Sequence, residues 1–275
     1  MQHIDKNIPK FKNQAYDLLD AFIQGQWQPE VGRYVNLSYE SLKNDALRDL
    51  LLKEQNHYCC YCMKHILKED STLEHIISQS ADATLFDKYV TYGKIKGNVF
   101  FWDRTNTYST KFTMPPFPHI LSYENLVASC DGHIPEEGVG KHCNNARGSK
   151  EIIPLFYIKN IHDEIVYESN GTITCDAKYF PTLEALKLEH ETLQIFRRCW
   201  LNLPSKYTDF DVKKACADED LKNRIIDDMD VAKIKTSDRT TIRIPTFWSS
   251  FVDYYWFYLY KMEKKSETTP QKAQR

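Results

Sequence analysis

The stretch NHYCCYC (residues 56–62) places three cysteines in four consecutive positions. Cys59 and Cys62 have the C-x-x-C spacing of a zinc knuckle, in which a tight turn directs two thiolates at one tetrahedral ion. Cys60 lies between them and cannot point the same way, so we interpret it as a small buried hydrophobic residue. Because a C-x-x-C pair is also typical of a thiol redox site, a metal site requires a second pair of ligands.

The candidates for the second pair are Cys130 and Cys143, which are separated by twelve residues. The intervening segment contains several glycines and a proline, so it is predicted to be a loop. Such a loop brings its ends together at modest entropic cost, since closure entropy grows slowly with length. We therefore predict one zinc ion held by Cys59, Cys62, Cys130 and Cys143, with His133 and His142 as alternative ligands.

The composition is that of an ordinary globular protein, because 42% of the 275 residues are hydrophobic and 27% are charged. The formal net charge of −2 excludes a global basic field, so a nucleic-acid enzyme would need a local basic surface or a partner that supplies one. The start of the chain has no apolar signal segment, and the apolar stretch 247–260 is too short to span a bilayer. We expect a cytoplasmic protein without a membrane segment, in which a disulfide framework is disfavoured.

Hydrophobic periodicity predicts helices over residues 11–25 and 38–58, and again over 181–203 and 220–232. Residues 81–122 instead contain short β-prone runs and a proline-rich segment, which predict a hairpin-like insertion followed by an irregular loop. The expected fold class is α+β, with a small cysteine-bound unit embedded in a mostly helical protein.

The chain is expected to divide into consecutive regions. These are an N-terminal helical region (1–55), a core with the cysteines (56–160), a mainly helical C-terminal region (161–265) and a tail (266–275). The tail is expected to be disordered because polar and charged residues dominate it. The aromatic stretch at 247–260 is interpreted as core packing, with a partner-docking surface as the alternative.

A second set of polar residues is interleaved with the cysteines. Glu74 and His75 follow the first cysteine pair in the stretch LEHIIS, and Asn125 precedes the third cysteine of the set by five residues. Asn144 directly follows the fourth cysteine in HCNNARGSK. This order resembles the HNH, or ββα-metal, nuclease motif with its flanking zinc-binding cysteines, in a variant whose closing histidine is replaced by asparagine.

Longer stretches are similar to one group of HNH proteins. LRDLLLKEQNHYCCYC, LEHI, YENLVASC and HCNNARGSKEIIPL resemble the PtuB family, the HNH nuclease subunits of Septu anti-phage systems that are also found with some retrons. The similarity covers roughly residues 47–157. It implies a zinc-stabilised ββα-metal finger, and it implies a partner, the Septu ATPase (PtuA), that gates the nuclease.

The resemblance also implies roles for the polar residues. His75 would be the general base, because a neutral imidazole takes a proton from water near neutral pH. Glu74 and Asn144 would be ligands of a catalytic Mg²⁺ or Mn²⁺, since hard cations prefer oxygen donors. Glu74 leaves its strand on the opposite side from His75 and would reach the ion only if the ribbon is strongly twisted. Asn125 would hydrogen-bond the backbone across the finger and orient the strand of His75.

Five basic residues are candidates for contacts with nucleic acid. Arg147 stands where related fingers carry a lysine and Lys150 follows it, so both are candidates for phosphate contact, with a solvated basic turn as the alternative. Lys94, Lys96 and Arg104 are interleaved with aromatic residues, which suits a strand that is bound by charge and by stacking. Burial of those aromatic residues in the core is the competing interpretation.

The sequence thus predicts a metal-dependent HNH endonuclease that hydrolyses phosphodiester bonds of nucleic acid as the effector of an anti-phage system. A second hypothesis is a non-catalytic, zinc-stabilised module that binds nucleic acid or protein. A third and weaker hypothesis is a thiol redox protein that uses Cys59 and Cys62.

Overall fold

The computed structural model describes residues 1–31, 33–34, 45–79, 81, 84, 100–101, 117–134, 142–229, 234–235, 241–242 and 247–268. Within these residues the protein combines helices with five two-stranded sheets, so the expected α+β class is confirmed. In the part of the chain that the structure describes, no helix combines the length and apolar character that crossing a membrane requires.

The centre of the fold is an antiparallel ribbon followed by a short helix. Strand β3 (Ser71–His75) pairs with strand β6 (Leu126–Cys130) in a register that sets Ser71 opposite Cys130 and His75 opposite Leu126. Helix α3 (Cys143–Arg147) packs against β6. The ribbon and the helix therefore carry three of the predicted polar site residues and two of the predicted cysteines.

The outer edge of β6 is covered by the side chain of Gln55, which is buried. Its Nε2 donates hydrogen bonds to the carbonyl oxygens of Ala128 (2.7 Å) and Tyr58 (2.9 Å), and its Oε1 accepts one from the Ala128 N–H (2.7 Å). The amide group thus replaces a neighbouring strand, which leaves the Ala128 peptide groups paired although they are buried. Gln55 follows directly on helix α2 (Asp45–Glu54), so the bonds also fix this helix on the ribbon.

The N-terminal region consists of helix α1 (Pro9–Gly25), a short pair of strands β1 (Trp27–Gln28) and β2 (Arg33–Tyr34), and helix α2. Helix α1 begins two residues before the predicted start because Pro9 takes the first helical position, where its missing N–H costs nothing. Helix α2 covers the central part of the helix predicted over 38–58, and residues 35–44 lie outside the described residues.

The predicted insertion at about 81–122 lies mostly outside the described residues. Strands β4 (Phe100–Phe101) and β5 (Phe117–Pro118) are described there, and they pair in parallel. Because parallel strands require a crossover connection, these two do not form the expected hairpin.

Among the described residues after 160, helices are the main element. The elements of this C-terminal region are α4 (Ile161–Glu164), β7 (Ile165–Tyr167), β8 (Ile173–Cys175), α5 (Phe180–Ala185), α6 (Glu191–Leu201), α7 (Asp209–Lys214), α8 (Glu219–Asp228), β9 (Ile234–Lys235), β10 (Thr241–Ile242), α9 (Trp248–Val252) and α10 (Trp256–Thr268). The expectation of a disordered tail from residue 266 is wrong at its start, because helix α10 continues to Thr268. Residues 269–275 lie outside the described residues.

The aromatic stretch at 247–260 packs in the core, which confirms that interpretation. Phe251 is fully buried and stacks on Trp200 at a centroid distance of 4.7 Å, and its carbonyl accepts a hydrogen bond from Trp200 Nε1 (2.9 Å). Buried side chains from the N-terminal, central and C-terminal regions belong to one hydrophobic cluster. The predicted N-terminal, central and C-terminal regions are therefore consecutive segments of the chain that contribute to one hydrophobic core.

The Gln55 bonds predict a stability effect. Gln55→Glu keeps the size of the side chain but removes both donated bonds and places a carboxylate beside two carbonyl oxygens. We expect the free energy of unfolding to fall by about 2–3 kcal/mol, as for loss of buried hydrogen bonds. Urea denaturation measures this, with Gln14→Glu on the exposed face of α1 as the control. Equal stability of the two variants would contradict the role of Gln55.

Candidate functional site

Four buried cysteines from separate elements converge. Cys59 and Cys62 lie in the turn between α2 and β3, Cys130 is the last residue of β6, and Cys143 is the first of α3. All four sulfur atoms lie within 4.8 Å of one another. Neither His133 nor His142 belongs to this group, so among the described residues the ligand set is the four-cysteine alternative.

The distances between the sulfur atoms fit a tetrahedral metal ion. Sγ of Cys62 and Sγ of Cys130 are 3.6 Å apart, and Sγ of Cys59 and Sγ of Cys143 are 3.9 Å apart. Four sulfurs at about 2.3 Å from a zinc ion are about 3.8 Å from one another, whereas a disulfide requires about 2.05 Å. The cluster therefore suits a metal ion such as zinc, and its contacts argue against Cys59 and Cys62 as an isolated redox pair.

The turn that carries Cys59 and Cys62 is shaped for this purpose. Met63 takes a positive φ of 65°, and the Cys59 N–H bonds the Lys64 carbonyl (2.8 Å), which turns the chain back on itself. The Cys130 N–H donates to Sγ of Cys59 (3.3 Å). Burial raises the pKa of the Cys62 thiol, but hydrogen bonds with Cys130 and Cys143 outweigh this and bring it down to about 6. The pKa of Cys59 is lowered as well, whereas the pKa values of Cys130 and Cys143 are raised, so within the cluster the first cysteine pair favours the thiolate, the form that binds metal.

The loop between Cys130 and Cys143 is closed by a contact between its two ends. Gly132 has a φ of +77°, and a Cβ at this position would lie 1.8 Å from the carbonyl oxygen of His142. Only glycine permits this approach, since any side chain would collide with the backbone. Nδ1 of His142 lies 3.1 Å from Sγ of Cys143, so the histidine contacts the cluster from outside.

His75 lies at the end of β3 and is held by the backbone. Its Nε2 is 2.9 Å from the carbonyl oxygen of Ile120. A carbonyl only accepts hydrogen bonds, so Nε2 carries the hydrogen and the lone pair of the neutral ring is on Nδ1. Burial lowers the pKa of His75 to about 4, because it penalises the charged imidazolium. The ring is therefore neutral at physiological pH.

Asn125 fixes the residues that follow His75. Its Oδ1 accepts a hydrogen bond from the Ile77 N–H (2.6 Å), and its Nδ2 donates to the carbonyl oxygens of Ile77 (3.0 Å) and His119 (2.8 Å). Its own carbonyl accepts from the Ile76 N–H (2.9 Å). These are backbone bonds across the ribbon of the kind expected from the sequence, whereas a catalytic role for Asn125 stays a prediction.

Glu74 and Asn144, the predicted ligands of a hard cation, are both hydrogen-bonded to other side chains. Oε1 of Glu74 accepts hydrogen bonds from the guanidinium of Arg147 and from the Tyr61 hydroxyl (3.4 Å). Burial raises the pKa of Glu74, and Arg147 opposes this effect. Nδ2 of Asn144 donates to Oγ1 of Thr72 (3.1 Å), so Oδ1 is the atom suited to a metal. Because its carboxylate is paired with a guanidinium, Glu74 as placed does not fit a divalent ion.

The five basic residues that are predicted to contact nucleic acid differ in what the structure describes of them. The expected phosphate contact of Arg147 is wrong, because its side chain is only 1% exposed and its donors are engaged inside the protein. Lys150 is exposed, and its phosphate contact stays a prediction. Lys94, Lys96 and Arg104 lie outside the described residues.

Two features of the site were not predicted from the sequence. The carbonyl of Ile120 holds His75, and a backbone oxygen leaves no signal in a single sequence. The pairing of Glu74 with Arg147 joins residues that are far apart in the chain, and opposite charge alone does not identify such a pair.

Searches among protein-family models and among curated proteins found no match to this chain. The cysteine cluster and the ribbon geometry therefore carry the functional interpretation, together with the motif resemblance.

The cluster predicts a metal content. The purified protein should contain one zinc ion per chain by mass spectrometry of metals, and Cys143→Ser should leave it substoichiometric after dialysis against a chelator. Cys199→Ser is the matched control, because Cys199 is buried in α6 outside the cluster. Equal zinc content in the two variants would contradict the assignment.

The loop contact at Gly132 predicts that metal retention depends on a residue that is not a ligand. Gly132→Ala combines a strained φ, which costs about 1–3 kcal/mol, with a clash against His142, so we expect faster zinc loss to a chelator. Gly171→Ala provides the control, since a Cβ there would lie 2.0 Å from the Gln194 carbonyl oxygen, in a different region. It should lower the melting temperature while zinc loss stays as in the parent protein. Equal zinc loss from both variants would contradict a local role of the contact.

Proposed function

We propose that this protein is an HNH-type endonuclease that hydrolyses phosphodiester bonds of nucleic acid, with a structural zinc ion held by the four cysteines. The observation that carries the proposal is the setting of His75. Its imidazole lies at the end of a ribbon that is followed by a helix, its tautomer is fixed by Ile120, and the residues after it are fixed by Asn125. This order and geometry support the resemblance to the ββα-metal nucleases.

His75 suits the role of a general base. With the hydrogen on Nε2, the Nδ1 lone pair takes a proton from water as the water oxygen attacks phosphorus. The bond from phosphorus to the leaving ester oxygen breaks, and that oxygen takes a proton from solvent. The bond from Nε2–H to the Ile120 carbonyl strengthens as positive charge develops on the ring, because a charged donor forms the stronger hydrogen bond. The phosphates of the substrate further favour that charge, which offsets the low pKa imposed by burial.

The resemblance implies a catalytic Mg²⁺ or Mn²⁺ at Glu74 and Asn144. Asn144 is half-buried and offers its Oδ1 as a hard oxygen, whereas Glu74 is occupied by Arg147. We therefore assign no step to this ion. The assay below measures whether cleavage requires Mg²⁺ or Mn²⁺.

The biological setting is proposed from the resemblance alone. It implies an anti-phage defence system in the cytoplasm, in which an ATPase of the PtuA type senses invasion and gates the nuclease. The net charge of −2 supports a partner that supplies affinity for nucleic acid, since the chain has no global basic field. Co-purification after co-expression with such an ATPase would test this association.

The second candidate is a non-catalytic, zinc-stabilised module that binds nucleic acid or protein. The burial of His75 favours it, because a buried and hydrogen-bonded histidine is an ordinary part of a structural core. The two candidates share the zinc site and differ in whether the ring of His75 meets a substrate.

Substitution of His75 is the decisive test. His75→Ala should lower phosphodiester cleavage by at least about 100-fold through loss of the general base, while zinc content stays unchanged. The assay offers plasmid, single-stranded DNA and tRNA with Mg²⁺ or Mn²⁺, with and without the ATPase partner. His162→Ala, a half-exposed histidine on α4, is the control.

Two outcomes would separate the candidates. A His75→Ala protein that cuts as well as the parent contradicts the role of His75. Binding of nucleic acid or protein without cleavage in any metal condition would favour the binding module.

A further inference from the structure

The peptide groups of residues 75–77 lie just beyond the end of the ribbon and are held by side chains. Asn125 binds the peptide groups of Ile76 and Ile77, and Arg147 binds the carbonyl groups before them. Nη1 of Arg147 donates to the carbonyl oxygen of His75 (2.5 Å), and Nη2 donates to that of Ile76. The guanidinium thus ties the end of α3 to the end of β3, directly beside the imidazole.

A buried guanidinium requires a compensating charge. Arg147 is 1% exposed, and an unpaired charge in this environment would be strongly destabilising. Glu74 supplies the carboxylate. Tyr61 bridges the pair, because its hydroxyl accepts from Nη1 of Arg147 (3.1 Å) and donates to Oε1 of Glu74 (3.4 Å). The carboxylate is therefore part of a closed polar cluster inside the protein.

We propose that Glu74 is the counter-ion of Arg147 and not a metal ligand, and that the pair is a positioning device that fixes the backbone of His75 and Ile76. A divalent ion at the same carboxylate would lie close to a permanent positive charge, and this repulsion is large at low dielectric. The function of Glu74 is thus to keep Arg147 in place, and Arg147 in turn keeps His75 in place. The consequence for cleavage rests on the proposed function, whereas the ion pair itself does not.

The residue type at position 147 matters because two consecutive carbonyls are bound at once. The planar fork of arginine reaches both carbonyls with Nη1 and Nη2, and its Nε–H donates to the Lys150 carbonyl (3.3 Å). A lysine carries a single charged point and cannot reproduce this arrangement. Arg147→Lys therefore keeps the charge and removes the fork.

A double-mutant cycle tests the counter-ion role. The variants are Glu74→Gln, Arg147→Met and the two combined, and the measurement is the midpoint of urea denaturation. We expect each single change to lower the midpoint, and the double variant to lose less than the sum, because neither charge is then left unpaired. Additive losses would overturn the proposal.

Metal binding provides the second measurement. Titration of Mn²⁺ into the zinc-loaded protein should give the same affinity for the parent and for Glu74→Gln within twofold. A loss of tenfold or more in Glu74→Gln would show that the carboxylate is a ligand and would overturn the proposal.

The positioning role needs a readout at the imidazole. In Arg147→Lys, which is expected to stay folded, the ring resonances of His75 should shift in nitrogen-edited NMR spectra, while those of His162 should not. Unchanged His75 resonances would overturn the positioning role. None of these measurements uses cleavage, so a protein without nuclease activity would refute the proposed function alone.

Discussion

The structure depends on the convergence of four thiols that the chain supplies from three places. Strands β3 and β6 are five residues each, and a two-stranded ribbon of that length is marginal by itself. About fifty residues separate the two strands, so their pairing also carries a loop-closure cost. A structural zinc ion contributes about 10–16 kcal/mol in small metal-bound units, which exceeds both costs. The sulfur cluster joins the turn before β3, the end of β6 and the start of α3, and it thereby sets where the ribbon and the helix meet.

A second constraint is the need to pair backbone groups where the ribbon ends. The edge of β6 is paired by the amide of Gln55, and the segment after β3 is paired by Asn125 and Arg147. Each of these side chains replaces part of a missing strand, because a buried peptide group without a partner is costly. The result is a short β-structure in which backbone groups at the edge and just beyond the end of the ribbon have hydrogen-bond partners. His75 is placed in this part of the molecule.

The sequence reveals what is encoded locally and misses what arises from tertiary contact. The cysteine cluster was predictable because metal ligands have characteristic spacings, and helix α1 was predictable because its apolar residues repeat with the helical period. The parallel pairing of β4 with β5 was missed because register between distant strands has no local signature. Arg147 was expected at the surface because a basic residue near the end of a helix is normally solvated. Arg147 is buried because folding brings one carboxylate and three carbonyl groups to its guanidinium, and the sequence alone does not show these contacts.

The polar groups around His75 bear on the choice between a catalytic and a structural histidine. The buried ion pair of Glu74 and Arg147 and the hydrogen bonds of Asn125 would add little to a core that serves only stability, because well-packed apolar residues stabilise a core equally well or better. Three independent groups nevertheless act on this short segment: the Ile120 carbonyl fixes the ring tautomer, Asn125 fixes the peptide groups of Ile76 and Ile77, and Arg147 fixes the carbonyl groups of His75 and Ile76. Together they determine the direction of the Nδ1 lone pair, and such pre-organisation is what a general base requires. A binding module needs a stable surface but has no need of a fixed imidazole tautomer, so this arrangement favours catalysis.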